Sequence, residues 1–213
     1  MASERLAAAE DLMPRRGVLA DVGAGDGRLA LRLAMRSEVE AVYATEKGGE
    51  VLRSLRRTCA HRAKLVVRAG DGLAPLRGLH LDGVAVLGMG GLTILGILRE
   101  AADHEGATFV LGPMQAAPQL RSGLADLGLE VVDERLARHG GRVYPILAVR
   151  HGEARPLSGI DAALGPILRR TRPDGFAQLV RERLAYLHAR LEGAAGARRA
   201  ALVRDIEDLE AEL

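Results

Sequence analysis

The chain has 213 residues, of which 48% are hydrophobic and 2% aromatic, so it can bury a sizeable core that must be aliphatic. A formal net charge of +2 does not by itself indicate a nucleic-acid partner. One cysteine, Cys59, excludes an internal disulfide and a cysteine-cluster metal site, and we interpret it as a passive side chain. The sequence shows no apolar leader and no membrane-spanning apolar run, so we expect a soluble, cytoplasmic protein without membrane or metal partners.

A helix and a strand open the chain. Ser3–Leu12 has the pattern of a short helix with Ser3 as its N-cap. The apolar run Val18–Ala20 predicts the first strand, and an acid and alternating glycines follow it. These residues are Asp21, Gly23, Gly25 and Gly27. A glycine turn before a helix lets the backbone approach a ligand and presents the unpaired N–H groups of the helix N-terminus, so we predict a nucleotide-like ligand here.

Two more predicted strands end in acids. The run 41–45 leads to Glu46, whose carboxylate can hold a ribose through its hydroxyls, and the third strand leads to Asp71 and Gly72. An acid after the third strand can accept a hydrogen bond from an adenine amino group. Acids on three successive strand ends predict an adenosine site. With Asp26 they would repel a pyrophosphate, which favours the cationic S-adenosylmethionine over a dinucleotide.

The middle of the chain continues the alternation of strands and helices. Lys47–Arg62 predicts a helix with Val51, Leu52 and Leu55 on its inward side. The apolar run Leu81–Leu87 predicts a strand covered on both faces. Further elements are predicted at Leu92–Ala102, Thr108–Leu111, Pro118–Leu127, Glu130–His139 and Arg142–Arg150. We therefore predict an α/β fold with a mostly parallel, doubly wound sheet and an antiparallel last strand, as in Rossmann-like methyltransferases.

The composition changes after His151, where no strand pattern remains. Ser158–Arg170 predicts a helix interrupted at Gly165-Pro166, and two stretches follow in which apolar residues recur every three or four positions. These residues are Phe176, Val180, Leu184, Leu187 and Leu191, then Leu202, Ile206, Leu209 and Leu213. They predict a C-terminal α-helical hairpin with core-packed stripes. We expect two domains, 1–151 for cofactor binding and 152–213 as a helical hairpin or coiled coil.

Charge in this C-terminal part is segregated. Residues 155–204 contain ten Arg and four acids, whereas residues 205–213 contain five acids and no base. Such runs are usually solvated faces, but beside a methyltransferase core the basic face is also a candidate RNA surface. Because aromatic residues are scarce, we expect RNA contacts to depend on arginine. The predicted RNA-binding residues are Arg5, Arg28, Arg169, Arg170 and Arg172.

Several motifs occur together along the chain. They are Ser3-Glu-Arg5-Leu6, Ala20-Asp21-Val-Gly23, Gly70-Asp71-Gly72, Gly88-Met89-Gly90-Gly91, Pro113, Tyr144, Ser158-Gly159 and Gly165-Pro166. With the helical tail they resemble the bacterial tRNA (adenine(22)-N1)-methyltransferases over nearly the whole chain. The resemblance implies S-adenosylmethionine as cofactor, tRNA as substrate and N1 of an adenine, adenine 22, as acceptor. Residues 25–30 and 112–114 depart from the family's usual Asp-His-Ala-Tyr-Leu-Pro and Gln-Pro-Asn.

The acceptor chemistry points to one further loop. N1 of adenine already has a lone pair, so positioning and desolvation matter more than a strong base. The small residues of Gly88–Gly91 would let a base approach a sulfonium. We predict Asp26, Gly88, Met89 and Gly90 as catalytic, although Asp26 has a competing interpretation as an exposed loop acid. The predicted cofactor-binding residues are Asp21, Gly23, Gly25, Gly27, Glu46, Lys47, Asp71, Gly72 and Gly88.

Three functions remain open at this stage. The first is a tRNA methyltransferase, monomeric or weakly dimeric. The second is a small-molecule methyltransferase whose tail serves as a lid or dimer arm, and the Arg-rich tail argues against it. The third is a catalytically impaired RNA-binding relative, and the retained Asp21, Glu46 and Asp71 argue against it. The six histidines show no metal-binding spacing.

Overall fold

A computed structural model describes residues 4–213, in which seven strands form one sheet. The strands are β1 Gly17–Val22, β2 Val39–Glu46, β3 Leu65–Ala69, β4 Gly83–Leu87, β5 Thr108–Gly112, β6 Leu129–His139 and β7 Arg142–His151. They lie in the order β3-β2-β1-β4-β5-β7-β6, and β7 runs antiparallel to both of its neighbours. The predicted mostly parallel sheet with an antiparallel last strand is confirmed.

Nine α-helices occur within residues 4–213. They are α1 Glu4–Leu12, α2 Arg28–Ala34, α3 Gly49–Cys59, α4 Gly91–Leu98, α5 Ala117–Leu124, α6 Gly159–Leu164, α7 Pro166–Thr171, α8 Phe176–Leu191 and α9 Gly196–Glu210. The predicted helices are confirmed, although those starting near 92 and 118 finish in short 3₁₀ turns, Ala101–His104 and Ala125–Leu127. The predicted N-cap, Ser3, lies outside the described residues.

The sheet is buried on both faces. Along β4, Val84 and Val86 pack into one apolar cluster and Ala85 into another, because successive side chains of a strand point to opposite faces. Phe109 and Val110 on β5 divide in the same way. This double burial explains why these strands are apolar runs without alternation.

Two details of the predicted elements are wrong. Val51 is 48% exposed, whereas Leu52 and Leu55 are buried, because Val51 falls one position off the three- and four-residue spacing of the inward face of α3. The fourth strand begins at Gly83 and not at residue 81. Asp82 precedes it, and its Oδ2 accepts a hydrogen bond from the backbone N–H of Val18 at 2.8 Å.

The C-terminal helices form a third apolar cluster. It contains the predicted stripes of α8 and α9 from Phe176 to Leu209, with Leu164 and Leu168 from α6 and α7. The last residue of the predicted stripe, Leu213, is instead 61% exposed. Leu136 of β6 packs against this cluster, so the helices are attached to the sheet by apolar contact.

A buried ion pair also joins the tail to the sheet. Arg121 of α5 and Glu134 of β6 are 1% and 0% exposed in their side chains, and Nη2 and Oε1 lie 2.8 Å apart. The other Glu134 oxygen, Oε2, accepts hydrogen bonds from the backbone N–H groups of Ile167 and Leu168, at the start of α7. Arg121 Nη1 donates to the carbonyl of Ala162 in α6. One carboxylate and one guanidinium therefore hold four elements together: α5, β6, α6 and α7.

Candidate active site

The strand order creates a crevice at the carboxyl ends of β1 and β4. These strands are neighbours, but the chain leaves β1 toward β2 on one side and later returns to β4 on the other. Open α/β sheets bind ligands at such a switch point. The loops after both strands meet here: Gly23 has φ +67°, and a Cβ at this residue would overlap the Cε of Met89. A side chain at residue 23 would therefore displace the end of the flexible Met89 side chain, and the left-handed backbone of Gly23 would be strained with any residue other than glycine.

A carboxylate of β2 supports the glycine loop. The backbone N–H of Gly25 donates to Glu46 Oε2 at 3.2 Å, and the N–H of Lys47 donates to Oε1 at 3.0 Å. Gly25 has φ +58°, and a Cβ there would meet no protein atom within 4 Å. Its surroundings are open, so backbone conformation rather than protein packing favours glycine at this position.

A cavity of about 190 Å³ lies beside the loop. Five predicted catalytic or cofactor-binding residues line it: Asp21, Gly23, Gly25, Asp26 and Gly88. Arg5, Leu6, Ala24, Leu29 and Leu87 complete the lining. We call this space the reaction cavity. The structure therefore brings together the residues predicted from the first and fourth strand ends.

Asp21 is the buried acid of this cavity. It is 4% exposed, and its Oδ2 has no hydrogen-bond partner among the described residues. Burial raises the pKa of its carboxyl to about 7, and the charges of Asp26 and Glu46 act in the same direction, while a hydrogen bond from the backbone of Ala30 opposes them. The carboxylate is thus poorly compensated within the protein and suited to a cationic partner.

The third strand end lies outside the cavity lining. Asp71 is 72% exposed in its side chain and forms an ion pair with Lys47, with Nζ and Oδ2 2.7 Å apart. This carboxylate raises the pKa of the Lys47 amine through a hydrogen bond and its charge. Gly72 has φ +53° and faces Ile97. These three predicted cofactor residues are close to one another, at the outer side of the site.

The predicted acceptor loop is joined to the loop that follows β5. The N–H of Met114 donates to the carbonyl of Met89 at 2.8 Å, and the N–H of Gly91 donates to the carbonyl of Gln115 at 2.9 Å. A Cβ at Gly91 would overlap the carbonyl oxygen of Ala116. The two strand-end loops therefore form one rigid wall beside the crevice.

Asp26 has the geometry of an exposed loop acid. Its side chain is 62% exposed and pairs with Arg28, with Nε and Oδ2 2.9 Å apart. Its Oδ1 accepts a hydrogen bond from the backbone N–H of Arg28, the first residue of α2. Asp26 therefore supports the start of the helix, and its catalytic role stays a prediction. Cys59 is buried behind the loop, and burial raises the pKa of its thiol, as expected for a passive side chain.

The predicted RNA-binding arginines fall into different environments. Arg5 lines the reaction cavity and lies over the Tyr144 ring at 5.2 Å, and burial lowers the pKa of its guanidinium. Arg169 pairs with Asp161 and Glu212, and Arg172 pairs with Glu212, so both tie α7 to the C-terminus. Arg28 pairs with Asp26, whereas Arg170 is exposed. The charges of Arg169 and Arg172 are thus partly compensated by acids of the tail.

Sequence reasoning missed a second concave surface. A cleft of about 460 Å³ lies between the loop 113–119, the β7 segment 142–145 and one face of α8. The α8 residues that line it are Leu179, Glu182, Arg183 and Tyr186. We call it the hairpin cleft. The spacing of these residues at i, i+3, i+4 and i+7 was the available signal, because it places them on one helix face, beside the buried stripe.

No helix within residues 4–213 is long and apolar enough to cross a membrane. In the same part of the chain, no group of three or more His, Cys, Asp or Glu side chains is arranged to hold a metal ion.

A family model described as a methyltransferase domain matches residues 2–147. The tRNA (adenine(22)-N(1))-methyltransferase of Bacillus subtilis (strain 168) is 26% identical over 156 residues, which cover 71% of this chain and 66% of that protein. The alignment thus spans slightly less than two thirds of the curated relative.

Solved structures extend the similarity to the whole chain. A putative tRNA (m1A22) methyltransferase of Streptococcus pneumoniae is 28% identical, with a TM-score of 0.88 and 100% of both chains covered. Its complex with S-adenosyl-L-methionine gives 27% identity, a TM-score of 0.87 and 100% of both chains. The resemblance recognised from the motifs is confirmed. Because the family model spans more than half of the sequence and includes the glycine loop and both central strand ends, the chain belongs to the methyltransferase-domain family.

Proposed function

We propose that this chain is an S-adenosylmethionine-dependent methyltransferase that methylates N1 of an adenine in tRNA. The observation that carries the proposal is the buried carboxylate of Asp21 at the switch point of a methyltransferase-domain fold, whose Oδ2 has no hydrogen-bond partner within residues 4–213. The full-length similarity to a putative tRNA (m1A22) methyltransferase supports the substrate, and adenine 22 is the target that this similarity favours.

The residues of the reaction cavity fit S-adenosylmethionine. The cofactor carries a sulfonium and an ammonium, and Asp21, Glu46 and Asp71 offer carboxylates at three neighbouring strand ends. Gly25 leaves open space where a side chain would intrude. Asp21, Gly23, Gly25 and Glu46 would hold the cofactor, with Asp71, Gly72 and Lys47 at its outer side. When bound, S-adenosylmethionine supplies an electrophilic methyl group.

The acceptor side is formed by Gly88–Gly91. Its backbone is fixed by hydrogen bonds to the loop after β5, so a base that enters would meet a preformed wall rather than a mobile loop. N1 of adenine carries a lone pair in the ring plane, so the protein must orient and desolvate the base but need not deprotonate it. Glycines and one methionine suit this task because they leave room for close approach.

We assign tRNA binding to the tail, residues 152–213, together with the faces of the methyltransferase domain next to it. The exposed arginines of the tail supply positive charge for phosphates. Because tRNA is a cytoplasmic molecule, the proposed reaction takes place in the cytoplasm. A monomer can bind tRNA along one face, so we expect a monomer or weak dimer.

Methyl transfer to tRNA tests the function directly. Wild-type protein is incubated with methyl-labelled S-adenosylmethionine and bulk tRNA, and the modified nucleosides are identified by mass spectrometry. We expect 1-methyladenosine. A methylated cytosine or guanine would contradict the acceptor, and transfer to small molecules alone would favour the second candidate function.

A glycine substitution tests the acceptor wall. Gly90 has φ −71° and ψ 148°, which any residue adopts, and a Cβ there would meet the Gln115 amide at an ordinary 3.4 Å. Gly90→Val should therefore narrow the acceptor side without backbone strain. We expect methyl transfer to fall at least tenfold while the affinity for S-adenosylmethionine, measured by calorimetry, stays within twofold. Gly106→Val is the matched control, since Gly106 lies before β5 in open space. Full activity of Gly90→Val would contradict the assignment.

A further inference from the structure

The hairpin cleft lies next to the reaction cavity. Arg5 lines the cavity, and its guanidinium lies over the ring of Tyr144, which lines the cleft. The loop that contains Gln115 also lines the cleft, and the carbonyl of Gln115 accepts a hydrogen bond from the N–H of Gly91 in the acceptor loop. A polymer whose reactive base enters the cavity would therefore have neighbouring units in or beside the cleft.

The cleft gathers aromatic rings in a chain that has few. The sequence contains three Tyr, two Phe and no Trp, and two of the tyrosines, Tyr144 and Tyr186, line this cleft. Tyr144 has the guanidinium groups of Arg5 and Arg142 within 6 Å of its ring centroid, and Tyr186 has those of Arg183 and Arg190. Tyr186 remains 46% exposed. Aromatic faces and guanidinium planes are the surfaces on which unpaired RNA bases stack.

The polar groups of the cleft favour an anionic, base-carrying ligand. Its acid, Glu182, already accepts hydrogen bonds from the backbone of Val143 and from Gln178. Arg183 has no acid within ion-pair distance among the described residues, and its Nε is buried without a partner. Gln115 contributes a side-chain amide next to Gly90, and an amide can pair with the edge of a base.

We propose that the hairpin cleft binds an unpaired nucleotide of the RNA, adjacent to the base that is methylated. Its base stacks on Tyr186, its phosphate is held by Arg183 and Arg142, and Gln115 contacts the base edge at the passage into the reaction cavity. This proposal rests on the proposed tRNA methyltransferase function and adds that the substrate is bound as an unpaired segment. It adds a tyrosine to the arginines on which we expect RNA contacts to depend.

Equilibrium binding of a fluorescent tRNA transcript to full-length variants tests the proposal. Tyr186→Ala should weaken binding roughly 5- to 150-fold, the range observed when a stacking aromatic is removed, with an unchanged salt dependence. Tyr186→Phe keeps the stacking face and should restore affinity to within about twofold. Arg183→Gln should lower the slope of log affinity against log salt by about one, because a phosphate contact is lost.

Two controls separate these effects from general changes of the surface. Met35→Ala removes a side chain that is 86% exposed. Arg16→Gln removes an exposed charge just before β1, at the amino end of that strand, whereas the reaction cavity lies at its carboxyl end. Neither should change tRNA affinity more than twofold. Calorimetry with S-adenosylmethionine confirms that each variant is folded, since the cofactor residues are untouched.

The outcomes distinguish the two proposals. If wild type methylates tRNA and Tyr186→Ala binds it as tightly as wild type does, the cleft proposal is overturned and the proposed function stands. If wild type binds S-adenosylmethionine but neither binds nor methylates tRNA, the proposed function fails, and the assignment of RNA to the cleft fails with it. Weak binding by Tyr186→Phe as well would show that the hydroxyl, and not stacking, is responsible.

Discussion

The reaction cavity and the hairpin cleft differ in charge and in origin. The cavity is formed by the strand ends and loops of the first 90 residues with Arg5, and its environment is acidic. The cleft is formed by the loop 113–119, β7 and α8, and exposes arginine and tyrosine. A small cationic ligand can be bound by a motif contiguous in sequence, whereas an RNA surface needs elements that lie far apart in the chain.

The two sites also depend on different attachments within the molecule. The glycine loop is held by neighbouring strands of one sheet, through Glu46 and Gly25. The cleft depends on the position of α8 relative to the sheet, to which it is attached by Gln178 and Glu182 at the hairpin and, through the tail cluster, by the Arg121–Glu134 pair. A substitution that disrupts these attachments should thus distort the cleft more than the cavity.

Glu134→Ala should have the largest effect. It leaves the Arg121 guanidinium buried without its partner and frees the N–H groups at the start of α7, so we expect a loss of about 3–5 kcal/mol in the free energy of unfolding. Chemical denaturation measures it. We expect this variant to lose more affinity for tRNA than for the cofactor. Glu130→Ala is the matched control on the same strand, because Glu130 pairs with Arg150 at the surface and should cost less than about 1 kcal/mol.

A similar loss in both Glu134→Ala and Glu130→Ala would contradict this role of the buried pair. Glu134→Gln sharpens the experiment, since it keeps the shape of the side chain and one acceptor oxygen but removes the charge that Arg121 requires. The loss in the free energy of unfolding of Glu134→Gln should be close to that of Glu134→Ala.

Asp21→Asn should change the pH dependence of stability. The Asp21 carboxyl has an ordinary pKa of 3.8 and a folded-state pKa of about 7. Between these values the ligand-free folded protein binds more protons than the unfolded chain, so stability falls as pH rises and levels off above about 7. The loss reaches roughly 4 kcal/mol at most, at about 1.4 kcal/mol per pH unit.

Unfolding of the ligand-free protein between pH 5 and pH 8 measures this effect. Asp21→Asn should be more stable than wild type at pH 8 and similar to it near pH 4, while its affinity for S-adenosylmethionine falls because the carboxylate is gone. Asp103→Asn, at an exposed acid outside both sites, is the control. If the stability of wild type, relative to that of Asp21→Asn, instead rises between pH 5 and pH 7, the raised pKa of Asp21 is contradicted.

Glu46 and Asp71 should show smaller effects, confined to the cofactor side. Glu46→Ala removes the support of the Gly25 N–H as well as the proposed contact with the ligand, so we expect a loss of about 1–3 kcal/mol in S-adenosylmethionine binding. Asp71→Ala removes an exposed carboxylate screened by water and should cost less. Calorimetry measures both, with Glu105→Ala as an exposed control. Unchanged affinity in both variants would remove these acids from the site.

Much of the fold was predictable because each element carries its own signal. The apolar runs of β4 and β5 indicate burial on both faces, and the double glycine between β6 and β7 indicates a hairpin. That Asp21, Glu46 and Asp71 share one edge of the sheet was predictable for a related reason: in a parallel sheet, residues at successive strand ends lie at one edge whatever the details of packing.

Contacts between distant elements could not be predicted in this way. The sequence determined the alternating α/β order, the glycine turn with its acids, and the helical tail with its apolar stripes. Only the tertiary structure decided that Arg121 and Glu134 pair in the interior, that Arg169 and Arg172 are engaged by Glu212, and that Tyr144 and Tyr186 share one cleft. The physical reason is that periodicity gives the face of an element, whereas the partner of that face depends on how separately formed elements pack.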